Sequence, residues 1–220
     1  MSADEFRLLI ERGDVDAVRS ALELEPKFAN GTIRWFLNRE NETDPLHYVS
    51  DCVANGWLTN GTEGDLTRLL LARGGAIDGN GGRESPLIAS ASLGVESVSR
   101  VLVEAGAALE ATSVFGARAL HWAAWMGTLS TVELLIAHGA DTGARCSEFG
   151  ATPLFWAVHG YGPNGPKEKK DQVGAARLLI AAGARVDTAN KSGLSALELS
   201  KRCARGDMYD VLRQSAKPES

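Results

Sequence analysis

The stretch that decides the fold is ALHWAAWMGTLSTVELLIAHGADTGA, residues 119–144. It has the features of two short helices joined by a tight turn. The first helix opens at Ala119 and should end at Gly127, because glycine is a poor helix former. The apolar face of the second helix consists of Val132, Leu134, Leu135 and Ile136. The second helix should end at the pair Gly139-Ala140. Such a helix pair cannot bury its apolar residues alone, so it requires neighbours of the same shape.

Neighbours of this kind recur along the chain at a nearly regular spacing. The helix starts Pro45, Pro86, Ala119, Pro153 and Ala196 lie 41, 33, 34 and 43 residues apart. The matching stop signals are Gly75-Ala76, Gly106-Ala107, Gly139-Ala140 and Gly183-Ala184. A recurring period of this length is the signature of a repeat architecture.

Each repeat also has local signals for its ends. The residues that can cap a helix start by accepting a backbone N–H bond are Thr43 or Asp44, Ser85, Thr152 and Ser195. Proline suits the first helical position, where its missing N–H costs nothing. We expect the first glycine of each stop pair to adopt the left-handed conformation that ends a helix, at Gly75, Gly106, Gly139 and Gly183.

These residues resemble the ankyrin repeat, whose pattern is TPLHxAA, then a glycine turn, then LLxxGAD. The resemblance covers residues 4–213 and implies an all-α solenoid of helix–turn–helix units, with four full repeats and a capping helix pair at each end. We predict a single domain over 1–220. Its parts are an N-terminal cap at about 4–30, repeats at about 43–80, 84–113, 117–147 and 151–189, and a C-terminal cap at about 193–213. The resemblance also implies that His47 and His121 hydrogen-bond within and between repeats.

Composition limits the classes of function. The formal net charge of -5 gives no basic surface for nucleic acid, and no apolar run is long enough for a membrane span. The start MSADEFRLLIERGD lacks the features of a signal peptide. The cysteines Cys52, Cys146 and Cys203 are odd in number and far apart, which fits reduced thiols. We therefore expect a cytoplasmic protein that binds neither nucleic acid nor membrane.

Motifs for chemistry are missing from the sequence. It has no recognisable nucleophile, metal or phosphate-loop motif, so we predict no enzymatic activity, no metal and no cofactor. The alternative is a small-molecule-binding protein or enzyme that uses His159 and Tyr161. A ligand site of that kind should be a concave pocket with a few convergent polar groups, whereas an open groove favours protein binding.

Three segments depart from the repeat pattern. Insertions of about ten residues lie between Cys52 and Asp65 and between His159 and Gln172, each in the turn between a repeat's two helices. They are either tolerated surface loops or parts of a binding face. A third segment, GTIRWFLNRENE at 31–42, alternates apolar residues as a half-buried strand does, at Ile33, Trp35 and Leu37. It either folds back to seal the first repeat or anchors a partner. We expect a monomer, with a homodimer through Trp35 as the alternative.

The resemblance implies a protein-binding surface made of the loops between repeats, called fingers, and the exposed ends of the first helices. Trp125 and Met126 are large apolar residues at positions of this surface that usually vary. The predicted protein-binding residues are Leu93, Val114, Phe115, Arg118, Trp125, Met126, Arg145, Glu148, Phe149, His159 and Tyr161. Trp122 and Trp156 are expected to be packing residues. The identity of the protein partner does not follow from the sequence.

Overall fold

The computed structural model describes residues 1–36, 40–81, 84–167, 170–202 and 206–216. Within them the chain forms twelve α-helices and one two-stranded hairpin, so the all-α repeat fold is confirmed. The helices form six consecutive pairs: α1 (Ala3–Glu11) and α2 (Val15–Leu24), α3 (Pro45–Ala54) and α4 (Glu63–Ala72), α5 (Pro86–Leu93) and α6 (Glu96–Glu104), α7 (Ala119–Met126) and α8 (Leu129–Ala137), α9 (Pro153–Gly160) and α10 (Gln172–Ala181), α11 (Ala196–Arg202) and α12 (Gly206–Ser215).

The chain divides into two compact units. Unit 1 is Met1–Ala108 and contains α1 to α6, a short 3-10 helix (Pro26–Asn30) and the hairpin of β1 (Ile33–Phe36) and β2 (Glu40–Thr43). Unit 2 is Leu109–Ser220 and contains α7 to α12. A single repeat domain over the whole chain stays a prediction.

The predicted helix caps form in the structure. At the start of α3 the cap is Asp44, which accepts the N–H of His47 at 3.0 Å, whereas Thr43 belongs to β2. The remaining caps are Ser85 to Ile88 N–H at 3.3 Å, Thr152 to Phe155 N–H at 3.3 Å and Ser195 to Glu198 N–H at 3.2 Å. Each cap satisfies a backbone donor that has no partner within its own helix.

In three repeats the predicted glycine has the left-handed conformation, and in the first repeat the left-handed glycine lies one residue earlier. Gly106, Gly139 and Gly183 have φ of 90°, 88° and 91°, as predicted. In the first repeat the prediction of Gly75 was wrong, because Gly74 is the left-handed residue, with φ of 85°. The N–H of Gly75 donates to Leu70 O at 2.9 Å, the bond that the alanine makes in the other stop pairs.

The segment between the first cap and the first repeat folds back onto unit 1. Ile33 is buried, and the Trp35 ring lies 6.1 Å from the Tyr48 ring and 5.5 Å from the Trp57 ring. We call Trp35, Tyr48 and Trp57 the closed cluster. The predicted strand forms as β1, while Leu37 lies outside the described residues.

The first insertion packs on the N-terminal cap. Thr62 Oγ1 donates to Gly13 O at 3.2 Å, and Asn60 Nδ2 donates to Arg12 O at 3.1 Å. Leu58 is buried, and Trp57 belongs to the closed cluster. This insertion therefore joins the core of unit 1.

The described residues also bear on the predictions about a membrane span, a metal site and the cysteines. None of the helices described there is long and apolar enough to cross a bilayer. Those same ranges hold no group of His, Cys, Asp and Glu arranged to bind a metal ion. Cys52 and Cys146 are buried free thiols, and Cys203 lies outside the described residues.

Candidate functional site

An aromatic pocket of about 400 Å³ lies in unit 2. Six aromatic side chains dominate its wall, and three polar side chains complete it together with one alanine. The lining residues are Phe115, Trp122, Trp125, Phe149, Phe155, Trp156, Ala151, His159, Asn164 and Asn190. We call this set the aromatic pocket. A concave apolar pocket with a few polar groups is the usual form of a binding site.

Two fingers place Phe115 and Phe149 side by side. Their rings lie 5.7 Å apart. Phe115 O accepts the N–H of Glu148 at 3.1 Å, and Phe149 O accepts the N–H of Lys191 from the next finger at 2.9 Å. Each finger is thus hydrogen-bonded to the following one through the residue that presents its ring. The contact also requires a glycine after Phe115, because a Cβ on Gly116, whose φ is 63°, would overlap Ser147.

The helices α7 and α9 contribute the three tryptophans. Trp122 packs edge-on against Trp156 at 4.9 Å and against Trp125 at 6.0 Å. Its indole N–H donates to Ser113 Oγ at 3.1 Å, which fixes the orientation of the ring. Edge-to-face pairs at these distances are the favoured arrangement of aromatic rings. The three rings and Ser113 therefore hold one another in place as one wall of the pocket.

His121 supports the pocket from inside the repeat. Its Nδ1 accepts the N–H of Arg118 at 3.1 Å, so its proton is on Nε2, which donates to Ala151 O at 3.2 Å. The ring packs edge-on against Trp156 at 5.7 Å. Burial lowers the pKa of His121 to about 4, so the ring is neutral near pH 7. These bonds run within the repeat and to the next one, as the resemblance implied.

The corresponding histidine of the first repeat faces the equivalent carbonyl of the next repeat through its other ring nitrogen, and it also faces a carboxylate. His47 Nδ1 lies 3.4 Å from Glu84 O, and its Nε2 lies 3.6 Å from the Asp51 carboxylate. Burial raises the pKa of Asp51 to about 6. At this position of the repeat, unit 2 thus has a buried neutral histidine, whereas unit 1 has a histidine that faces a carboxylate.

The second insertion forms one wall of the aromatic pocket through Asn164. Its far end is attached to α7, because the buried Gln172 donates from Nε2 to the carbonyls of Trp125 and Met126, at 3.2 Å each. A Cβ on Gly160 would overlap the Trp125 carbonyl, so α9 and α7 come into close contact here. The insertion therefore holds the end of α7 that carries Trp125.

The pocket brings together four of the predicted binding residues, Phe115, Trp125, Phe149 and His159. The others lie outside its lining. Within unit 2 these are Val114, Met126, Arg118, Arg145, Glu148 and Tyr161. Arg118 is ion-paired with Glu110, and Tyr161 caps the end of α9. Leu93 belongs to unit 1, where it is 37% exposed at the end of α5.

Six lining residues were absent from the predicted binding set, namely Trp122, Trp156, Phe155, Ala151, Asn164 and Asn190. Trp122 and Trp156 pack as expected, yet both also face the pocket. Phe155 occupies the histidine position of its repeat, and the two asparagines come from the second insertion and from the last finger. The signal for Trp122 and Trp156 was their recurrence at the same place in repeats 3 and 4. Nothing in the local sequence marked Asn164 or Asn190.

Comparison with known families gives one match in the middle of the chain. The family model described as ankyrin repeats, in three copies, matches residues 52–146. The matched range contains Phe115, Trp122 and Trp125, whereas Phe149, Phe155 and Trp156 follow it.

Proposed function

Because the chain is an ankyrin-repeat protein, and ankyrin repeats are generally protein–protein interaction modules, we propose that it is a non-catalytic adaptor or inhibitor that binds a protein partner. The family is typically non-catalytic. We assign binding to the aromatic pocket, where a large apolar side chain of the partner inserts.

One observation carries this proposal: six aromatic side chains line an open pocket rather than a filled core. Phe149 at its mouth is 44% exposed. Exposing such side chains to water is unfavourable unless a ligand covers them. Aromatic residues in concave positions are also the commonest binding hot spots.

A second candidate function is the binding of a small apolar molecule. The observation that favours it is the convergence of His159, Asn164 and Asn190 on the pocket, which meets the criterion of a concave site with a few polar groups. Tyr161, which this alternative also used, lies outside the lining.

Capture of the partner from native cells tests the leading proposal. The full chain, Trp125→Ala, Phe115→Ala and the control Leu24→Ala serve as baits, since Leu24 is an 84% exposed apolar residue of unit 1. We expect the two pocket variants to lose the partner while circular dichroism shows intact folding, and Leu24→Ala to keep it. Equal capture by all four baits would contradict protein binding through the pocket.

NMR of the five indole N–H groups tests the second candidate. A saturable small molecule in the pocket should shift the signals of Trp122, Trp125 and Trp156, whereas Trp35 and Trp57 of the closed cluster should stay unchanged. A molecule that does this at micromolar concentration, and that no captured protein displaces, would favour the second candidate over the first.

A further inference from the structure

We propose that the side chain inserted into the aromatic pocket belongs to an acidic segment of the partner, whose carboxylates contact Arg145 and Lys191. This inference rests on the proposed function and adds to it the charge of the partner. It also gives a role to Arg145, one of the predicted binding residues that lie outside the pocket lining.

The two cations stand directly beside the pocket wall. Gly150 lies between Phe149 and Ala151, which both line the pocket. A Cβ built on Gly150 would lie 3.0 Å from Lys191 Cγ and 3.2 Å from Arg145 Nη2. Both basic side chains therefore flank the same finger segment that forms the wall.

Main-chain carbonyls, rather than carboxylates, hold these cations in place. Arg145 Nη2 donates to Ala189 O at 2.7 Å, and Lys191 Nζ donates to Ser147 O at 2.5 Å. Among the described residues neither forms an ion pair, and both side chains are exposed. Their positive charge is thus positioned but not neutralised.

Two other arginines of unit 2, by contrast, are paired with neighbouring carboxylates. Arg118 pairs with Glu110, and Arg185 pairs with Asp187 at 3.1 Å. Glu148, in the same finger as Arg145, is the acidic residue nearest to these cations in the sequence. The charges of Glu148, Arg145 and Lys191 together sum to +1. This positive site stands out on a chain whose formal net charge is -5.

Asn190 adds a hydrogen-bond donor to the same edge. Its side-chain oxygen accepts the N–H of Ser192 at 2.9 Å and the N–H of Leu194 at 3.0 Å. These bonds fix the orientation of the amide, so its NH₂ group is placed to donate a hydrogen bond to a ligand in the pocket. Two cations and an amide donor at one edge favour a ligand rich in acceptors.

The pocket lining also argues against a cationic side chain. A cation can bind aromatic faces, but none of the ten lining residues is acidic, and the flanking side chains are Arg145 and Lys191. Repulsion from this pair would oppose a lysine or quaternary ammonium ligand. An apolar side chain with carboxylates nearby matches both the pocket and its edge.

Selection from a random peptide library displayed on phage tests the inference on the full chain. We expect recovered peptides to contain a Trp, Phe or Leu with Asp or Glu nearby. The double variant Arg145→Glu/Lys191→Glu should bind these peptides about tenfold more weakly at low salt, and less so at high salt, because exposed charges are screened. The matched control is Arg177→Glu, since Arg177 is an exposed cation of α10 that does not line the pocket.

The outcomes separate this inference from the proposed function. Peptides with an apolar residue but no acidic preference, and with equal binding to the double variant, would overturn the inference and leave the proposed function intact. Basic flanks would overturn it too. Recovery of only those peptides that bind Trp125→Ala as well as the full chain would overturn both. Circular dichroism of each variant ensures that a loss of binding is not a loss of folding.

Discussion

The closed cluster of unit 1 and the aromatic pocket of unit 2 use the same kinds of side chain with opposite results. In unit 1 the finger folds back as a hairpin, so Trp35 and Trp57 cover a fully buried Tyr48 whose hydroxyl donates to Glu11 at 2.5 Å. In unit 2 the fingers are short, and their rings line an open pocket of about 400 Å³. Aromatic side chains of one repeat family can therefore serve either as core or as binding surface, depending on whether the chain supplies its own cover.

The two insertions differ in the same way. The first is bonded to the N-terminal cap through Thr62 and contributes Trp57 to the core. The second is bonded to the end of α7 through Gln172 and contributes Asn164 to an open wall. Both insertions lie at the same place in their repeats. The surface next to each one decides whether it joins a core or lines the pocket.

The largest effect should come from opening the closed cluster with Tyr48→Ala. Removing this buried ring leaves a cavity and leaves Glu11 without the hydroxyl, so we expect a loss of about 3–5 kcal/mol in the free energy of unfolding. Trp125→Ala, which removes a partly exposed ring at the surface of the pocket, should lose less than about 1 kcal/mol. Urea unfolding of both variants measures the difference, and equal losses would mean that the pocket is as much a core as the closed cluster.

A smaller effect should follow from the buried neutral His121. Its folded pKa of about 4 lies below the ordinary histidine pKa of 6.5, so mainly the unfolded state takes up a proton as the pH falls between these values. Stability present near pH 7 is therefore lost on acidification, by about 2 kcal/mol at pH 5. Urea unfolding of the parent at the two pH values gives the net pH dependence, from which a variant without this histidine separates the loss due to His121.

The variant His121→Phe isolates that contribution, because Phe155 occupies the same position in repeat 4. It should be less stable than the parent at pH 7, since the N–H of Arg118 and the carbonyl of Ala151 lose their partner. Its further loss between pH 7 and pH 5 should be smaller. The raised pKa of Asp51 favours the folded state on acidification in both the parent and the variant, which opposes the effect of His121. An identical pH dependence would show that His121 does not titrate as stated.

The smallest effect should come from Gln172→Ala, which releases the second insertion from α7. Two hydrogen bonds to the carbonyls of Trp125 and Met126 disappear, so we expect a loss of about 1 kcal/mol in stability. The Trp125 indole N–H signal should shift in NMR, while those of Trp35 and Trp57 should not. The matched control is Thr62→Ala, which releases the first insertion from Gly13 and should leave the Trp125 signal unchanged.

Much of the fold could be read from the sequence because its signals are local. The caps at Ser85, Thr152 and Ser195 act on backbone groups three residues away. The error at Gly75 was also local, since a Gly-Gly pair offers two residues able to take the left-handed conformation. Four of the predicted binding residues line the pocket, because the finger and helix positions repeat regularly.

Local sequence signals account for the repeats, their ends, the histidine positions and the aromatic character of repeats 3 and 4. It was the tertiary packing that covered one aromatic set and left the other open. It also decided that Asn164 and Asn190 line the same pocket as Trp122 and Phe115. These residues are far apart in the chain, and their meeting depends on the packing of α7 against α9 and on the bonds between fingers. Local patterns carry no information about such contacts, because each residue's partner is chosen by the folding of the whole unit.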